Sequence, residues 1–176
     1  MSKKNLTTFI IILLGVFALY AYWYKNEYSM GKAASSVIND HITNSNILIA
    51  TQDSEYKNKL VDNLLGSTIM NSTRIEISDI SKLKDLQVDG YNAIIIIHTW
   101  EMWRAPEVVH NFAARNLDYD NLIVLTTSGG GESTIPTVDG ITGASIIENI
   151  PSTSEKILSR IKPFLVNAPA IIKETE

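Results

Sequence analysis

Cysteine is absent from this chain of 176 residues. That single absence removes disulfides, Cys-ligated zinc, iron–sulfur clusters and thiol chemistry together. It is compatible with an oxidising, extracytoplasmic setting. Charge is also scarce: charged residues make up 19% of the sequence and the net charge is −4. A nucleic-acid interface needs a basic face, so nucleic acid is excluded as the expected partner. Histidine is sparse, and neither His98, which lies near Glu101, nor His110 has the H-E-x-x-H spacing of a metal site. A lone His near a strand end is more often a satisfied polar residue than a general base. The nucleophile elbow G-x-S-x-G is missing, because Ser128 stands in T-T-S-G-G instead. Phosphate-binding P-loops, dinucleotide fingerprints, internal repeats and low-complexity stretches are absent as well.

What is present is apolar. Hydrophobic residues reach 45%, which excludes a disordered tail and suits one domain of ordinary size with a buried core. Much of the excess lies between Asn5 and Tyr24, a stretch without a charge. A helix of that length covers roughly 30 Å, the thickness of a bilayer's hydrocarbon core. Tyr20, Tyr22, Trp23, Tyr24 and Tyr28 crowd its far end, as amphipathic rings do at a headgroup layer. The apolar run is longer than a signal-peptide core and no A-x-A site follows it, so a retained signal-anchor is expected over a cleaved one. Lys3 and Lys4 with the terminal amine precede the helix, while Lys25, Lys32 and the opposing Glu27 follow. That basic excess predicts a single-pass protein of the cell membrane, with residues 1–4 a cytoplasmic tip and the domain extracytoplasmic.

Residues 25–45 read as a connector. Met30, Ala33, Ala34, Val37, Ile38 and Ile42 recur at helical spacing and predict a short amphipathic helix there, either packed on its own domain or serving as a stalk. From residue 46 to 166 strand and helix signals alternate. Asn46–Ala50 is a short apolar strand. Tyr56–Leu65 is a helix with Leu60, Val61, Leu64 and Leu65 on one face. Arg74–Ile77 alternates as an edge strand would. Tyr91–His98, with four consecutive isoleucines, reads as a strand buried on both faces. Pro106–Asn116 is a helix opened by proline. Asn121–Thr127 is a second buried strand, closed by Ser128 and three glycines. Ser152–Val166 is a final helix capped by Ser152 or Thr153, with Ile157, Leu158, Ile161 and Leu165 inward. Residues 167–176 read as a tail. Such alternation implies a mostly parallel sheet with helices on both faces. Too few residues separate the Asn121 strand from Val138 for a full helix, so that side of the sheet is abbreviated.

This succession resembles a flavodoxin-like domain over roughly Ile47 to Leu165, and the fold class expected is α/β, an abbreviated doubly wound parallel sheet preceded by one transmembrane helix. The stretch VDGYNAIIIIHTWEMWRAPEVVHNF, residues 88–112, is similar to the family's third strand, the loop lying against the flavin ring and the following helix. NLIVLTTSGGG, residues 121–131, resembles the fourth strand and its flavin-side loop. Small membrane-tethered flavodoxin-like proteins tend to end in a segment similar to VDGITGAS followed by a helix. The resemblance implies FMN at the carboxyl ends of the strands, where the strand order reverses. Trp100 and Trp103 would then stack on the isoalloxazine, or else cover the sheet edge or face a membrane. Ser128, Gly129 and Gly130 would bring backbone N–H groups to the ring edge, or else form a plain turn.

Thr51 and Ser54 would lie near the FMN phosphate, in a segment that corresponds to the family's S/T-x-T-G-x-T loop. Here it reads Thr51-Gln52-Asp53-Ser54-Glu55-Tyr56, with serine in place of glycine and two carboxylates added. A like charge near 4 Å costs about 4 kcal/mol at an effective dielectric of 20. A helix dipole returns only about 0.3–1 kcal/mol at most surface sites. Repulsion opposes ordinary FMN binding wherever Asp53 and Glu55 face the phosphate. A second motif, Asp139 to Ser145, fits D-x-x-[ST]-G-A-[TS] and resembles the acceptor of covalently flavinylated proteins. FMN would be joined there through its phosphate to Ser145; otherwise Thr142, Gly143 and Ser145 shape a turn after a short strand. Two functions follow: FMN-linked electron transfer with a membrane redox partner, and a flavin-free binding or scaffolding module.

Overall fold

The computed structural model describes residues 3–28, 30–136 and 138–166, and the chain divides into two compact units at Met30 and Gly31. The first unit is helix α1, Lys3–Tyr28. Its stretch Lys3–Tyr24 is long and apolar enough to cross a membrane by length and composition, and none of its hydropathic window is buried.

The second unit is α/β, built on a mostly parallel mixed sheet. Its strands are β1 (Gly31–Lys32), β2 (Ser36–Ile38), β3 (Asn46–Asp53), β4 (Arg74–Asp79), β5 (Ala93–Thr99), β6 (Leu122–Thr127) and β7 (Ile141–Gly143). Its helices are α2 (Glu55–Leu65), α3 (Glu107–Arg115) and α4 (Ile150–Val166). The order across the sheet is β2-β4-β3-β5-β6-β7, with β1 paired to β3. All neighbours from β4 to β7 run parallel, whereas β1 and β2 are antiparallel to their partners. The order in which parallel strands are added across the sheet therefore reverses between β3 and β5, which is compatible with the flavodoxin-like expectation.

The isoleucine run of β5 shows why this sheet needs two helical layers. Ile95 and Ile97 join Ile47, Ile49, Ile123 and Leu125 on one face, against Leu60 and Leu64 of α2 and Ile157 and Ile161 of α4. Ile94 and Ile96 join Leu48, Ala50 and Val124 on the other, against Val109 and Phe112 of α3 and Leu83 from the 3₁₀ segment Ile80–Lys84. Alternation with a period of two sends successive side chains into opposite cores. The second layer is thin. A 3₁₀ segment stands where a helix between β4 and β5 would lie, and no helix joins β6 to β7 among the described residues.

Three expectations are corrected. Residues 30–42 form no helix: Gly31–Lys32 and Ser36–Ile38 are strands, pairing with Gln52–Asp53 and with Ile75–Ile77. The open ladder of β4 offers hydrogen bonds that an isolated short helix lacks, and the β-branched pair Val37–Ile38 suits a strand. β4 is consequently an inner strand, and β2 takes the edge. Helix α4 begins at Ile150, so neither Ser152 nor Thr153 is its cap; Pro151 sits in the first turn, where its missing N–H costs nothing. The expected tail, residues 167–176, lies outside the described residues.

Candidate functional site

In this topology ligands are expected at the carboxyl ends of β3 and β5. Strand β3 runs through Asp53 and helix α2 begins at Glu55, leaving Ser54 alone between them. Ser54 adopts an extended conformation and caps α2, its hydroxyl accepting from the Lys57 backbone N–H at 3.3 Å. The expected phosphate loop is thus compressed to one residue. Thr51 lies within the strand, 2% exposed and paired with Asp79 and Ile97.

The space above this junction is filled by Lys57, whose side chain is folded inward and 1% exposed. Its ammonium donates to Thr99 Oγ1 at 2.6 Å and to Ser54 Oγ at 3.4 Å. Thr99 Oγ1 lies 3.0 Å from Thr127 Oγ1, which donates to the His98 carbonyl at 3.3 Å. With Lys57 as donor, Thr99 donates across to Thr127 on β6, and Thr127 donates back to the His98 carbonyl on β5. A second link joins β3 to the loop after β5. The Gln52 side-chain amide accepts from Thr99 N–H at 2.8 Å and donates to Glu101 Oε1 at 2.6 Å. Burial pushes the Lys57 ammonium down to about 8, while Glu101 and Asp53 act in the opposite direction.

His98 is fully buried, and burial pushes its imidazole down to about 4. Its Nδ1 faces the Thr99 carbonyl at 3.3 Å and so carries the proton; its Nε2 accepts from Thr126 Oγ1 at 2.9 Å. This is a satisfied polar residue held neutral, as expected from the sequence.

The loops beyond the strands hold the other candidates. Met102 and Trp103 form a two-residue turn between Glu101 and Arg104, with φ of 46° and 62°. Such angles favour glycine or asparagine, and each costs a bulky residue about 1–3 kcal/mol. The turn leaves Trp103 91% exposed at its tip. Trp100 is half-buried, its backbone N–H donating to the Thr127 carbonyl at 2.7 Å, and its indole packs against the core on the α3 face. The two tryptophans therefore occupy different environments. Ser128 Oγ accepts from Gly131 N–H at 3.0 Å, a local turn, while Gly129 and Gly130 border open space. A Cβ on Gly131 would lie 2.9 Å from Ala144 N, so this turn abuts the segment after β7 that carries exposed Ser145. The structure thus brings Ser128–Gly131 and Ser145 to one side, and Thr51 and Ser54 to the other.

Strand β1 adds a cover that the sequence reading missed. Gly31 pairs with Asp53 and Lys32 with Gln52, so the chain crosses the carboxyl tip of β3. Ala33 N–H is anchored to Asp79 Oδ2 at 3.0 Å. A phosphate needs a nest of free N–H and hydroxyl donors. Here the capping hydroxyl is used, the strand end is covered, and a lysine occupies the interior. The β3–α2 junction does not fit a non-covalently held FMN phosphate.

The knot of Gln52, Lys57, Thr99, Glu101 and Thr127 was not singled out from the sequence. One signal pointed to it: Lys57 shares the 57, 60, 61, 64 face with Leu60, Val61 and Leu64, an inward position for a charge. No family model matches this chain, and no curated protein sequence matches it.

Proposed function

We propose that this chain is a membrane-anchored, flavin-free binding module with a flavodoxin-like domain. The observation that carries the reading is the inward Lys57, which occupies the switch point and bonds Ser54 and Thr99. A dianionic ligand is recognised by donors that have no other partner. At this strand end the donors and acceptors are matched to one another, tying β3, β5 and β6 together. Helix α1, through its length and composition, supports single-pass attachment, with the domain on the extracytoplasmic side by the lysine asymmetry of its flanks. Contact with a protein partner is assigned to the loops beyond β5 and β7, where Met102, Trp103, Ile146 and Ile147 are exposed. Aromatic and methionine side chains exposed together favour protein interfaces.

The test is the absorption spectrum of the full-length protein purified from membranes, before and after incubation with FMN. Flavin bands are expected in neither sample. Bands that persist through acid precipitation, with a matching mass increase on the Ser145 peptide, would replace this reading with covalent FMN and electron transfer. Bands only after incubation would replace it with ordinary FMN binding.

A further inference from the structure

A cavity of about 300 Å³ opens on the α3 side of the carboxyl edge, away from the Lys57 knot. Its walls are the half-buried indole of Trp100, buried Ala105 and Ile135, and Pro136. Arg104, Glu107 and His110 are exposed at its rim. It exists because the connection from β6 to β7 forms no helix among its described residues and brings Ile135 against the sheet instead. Small-molecule sites have this composition, mostly apolar walls with a few polar groups, and a volume at the low end suits a single or fused ring.

We propose that this cavity binds a small planar aromatic monocarboxylate. The indole supplies a flat polarisable wall, for which a flat ring is the best partner. Arg104 supplies a planar fork that matches a carboxylate in two parallel hydrogen bonds. Arg104 is held at its backbone. Its backbone N–H and carbonyl are both bonded to Glu101, at 3.0 and 2.9 Å, across the Met102–Trp103 turn. Glu107 on the same rim selects against a second negative charge, so phosphate esters and dicarboxylates are disfavoured. The inference does not rest on the absence of flavin: no lining residue of the cavity belongs to the Lys57 knot, to which Trp100 and Arg104 are tied through the backbones of Thr127 and Glu101.

The experiment is calorimetric titration of the full-length protein in nanodiscs with 2-naphthoate, empty nanodiscs serving as the blank. Saturable binding of one molecule per chain is expected. Both Arg104→Gln and replacement of the probe by neutral 2-naphthamide are expected to weaken it by about tenfold or more, the value of a charge-assisted hydrogen bond. The amide tests the ligand's charge without altering the protein, so a misfolded variant does not obscure the result. No saturable binding at millimolar probe would overturn the proposal. So would binding indifferent to both changes, which would report partition onto apolar surface.

Discussion

Lys57 carries an ammonium into a position where its neighbours on the same helical face, Leu60 and Leu64, are wholly buried. Burial costs the charged form, which is why its proton is held with an affinity of about 8 against 10.5 ordinarily. Between those values the unfolded chain binds more protons than the folded one, so stability rises with pH. The penalty is fully present below pH 8 and is relieved as pH climbs. Urea unfolding in mild detergent should show a gain of about 2 kcal/mol from pH 7.5 to 9.5, and Lys57→Met should abolish that gain. Higher pH brings an opposing effect from Tyr91, whose phenol is pushed up to about 12 by burial and by Glu76. His98 acts on the acid side. Its folded value of about 4 lies below 6.5, so the stability of the neutral form is lost as pH falls from 6.5 toward 4. Over that window the wild type should lose about 3 kcal/mol more than His98→Gln, the comparison cancelling the carboxylates common to both.

At the scale of elements, what was legible in the sequence was what burial dictates by pattern. The isoleucines at 94–97 and the run 122–125 admit few structures other than a doubly covered strand, and both are such strands. The segment from Met30 to Ile42 was not legible, because helical spacing arose there by coincidence while the deciding factor lay elsewhere in the chain. Strand β2 forms because β4 offers it a ladder, with partners 37 to 41 residues away that local periodicity does not register. The Lys57 knot was hidden for a similar reason, since Gln52, Thr99 and Thr127 meet only once three strands are aligned. The turn after β6 was legible in composition but its roles were not. Gly129 and Gly130 have room for a side chain; Gly131, at φ of 76°, would press a Cβ onto the backbone of Ala144. Gly131→Ala should therefore cost about 2 kcal/mol or more in unfolding free energy. Gly130→Ala should stay within about 0.5 kcal/mol of wild type, as surface changes do.

For the whole molecule, the decisive physical question is what solvent the surface of α1 meets. Ile10, Leu13, Leu14, Phe17 and Leu19 are all exposed, a density of apolar surface that water does not tolerate on an isolated helix. On the proposed reading a bilayer meets this surface, and the cost of charge provides the measurement. An arginine at the centre of a spanning helix opposes insertion by about 2.5–3.5 kcal/mol, so two placed together exceed what the flanking leucines and isoleucines return. The double substitution Ile12→Arg with Leu13→Arg should move the protein from the carbonate-resistant membrane pellet into the soluble fraction. Unit two is compact by itself and contains both cores, so the circular dichroism and denaturation midpoint of the released domain should match those of the wild type. If the double variant stayed in the pellet while correctly folded, attachment would have to reside in the domain, and its exposed loop residues Met102 and Trp103 would be the first place to look.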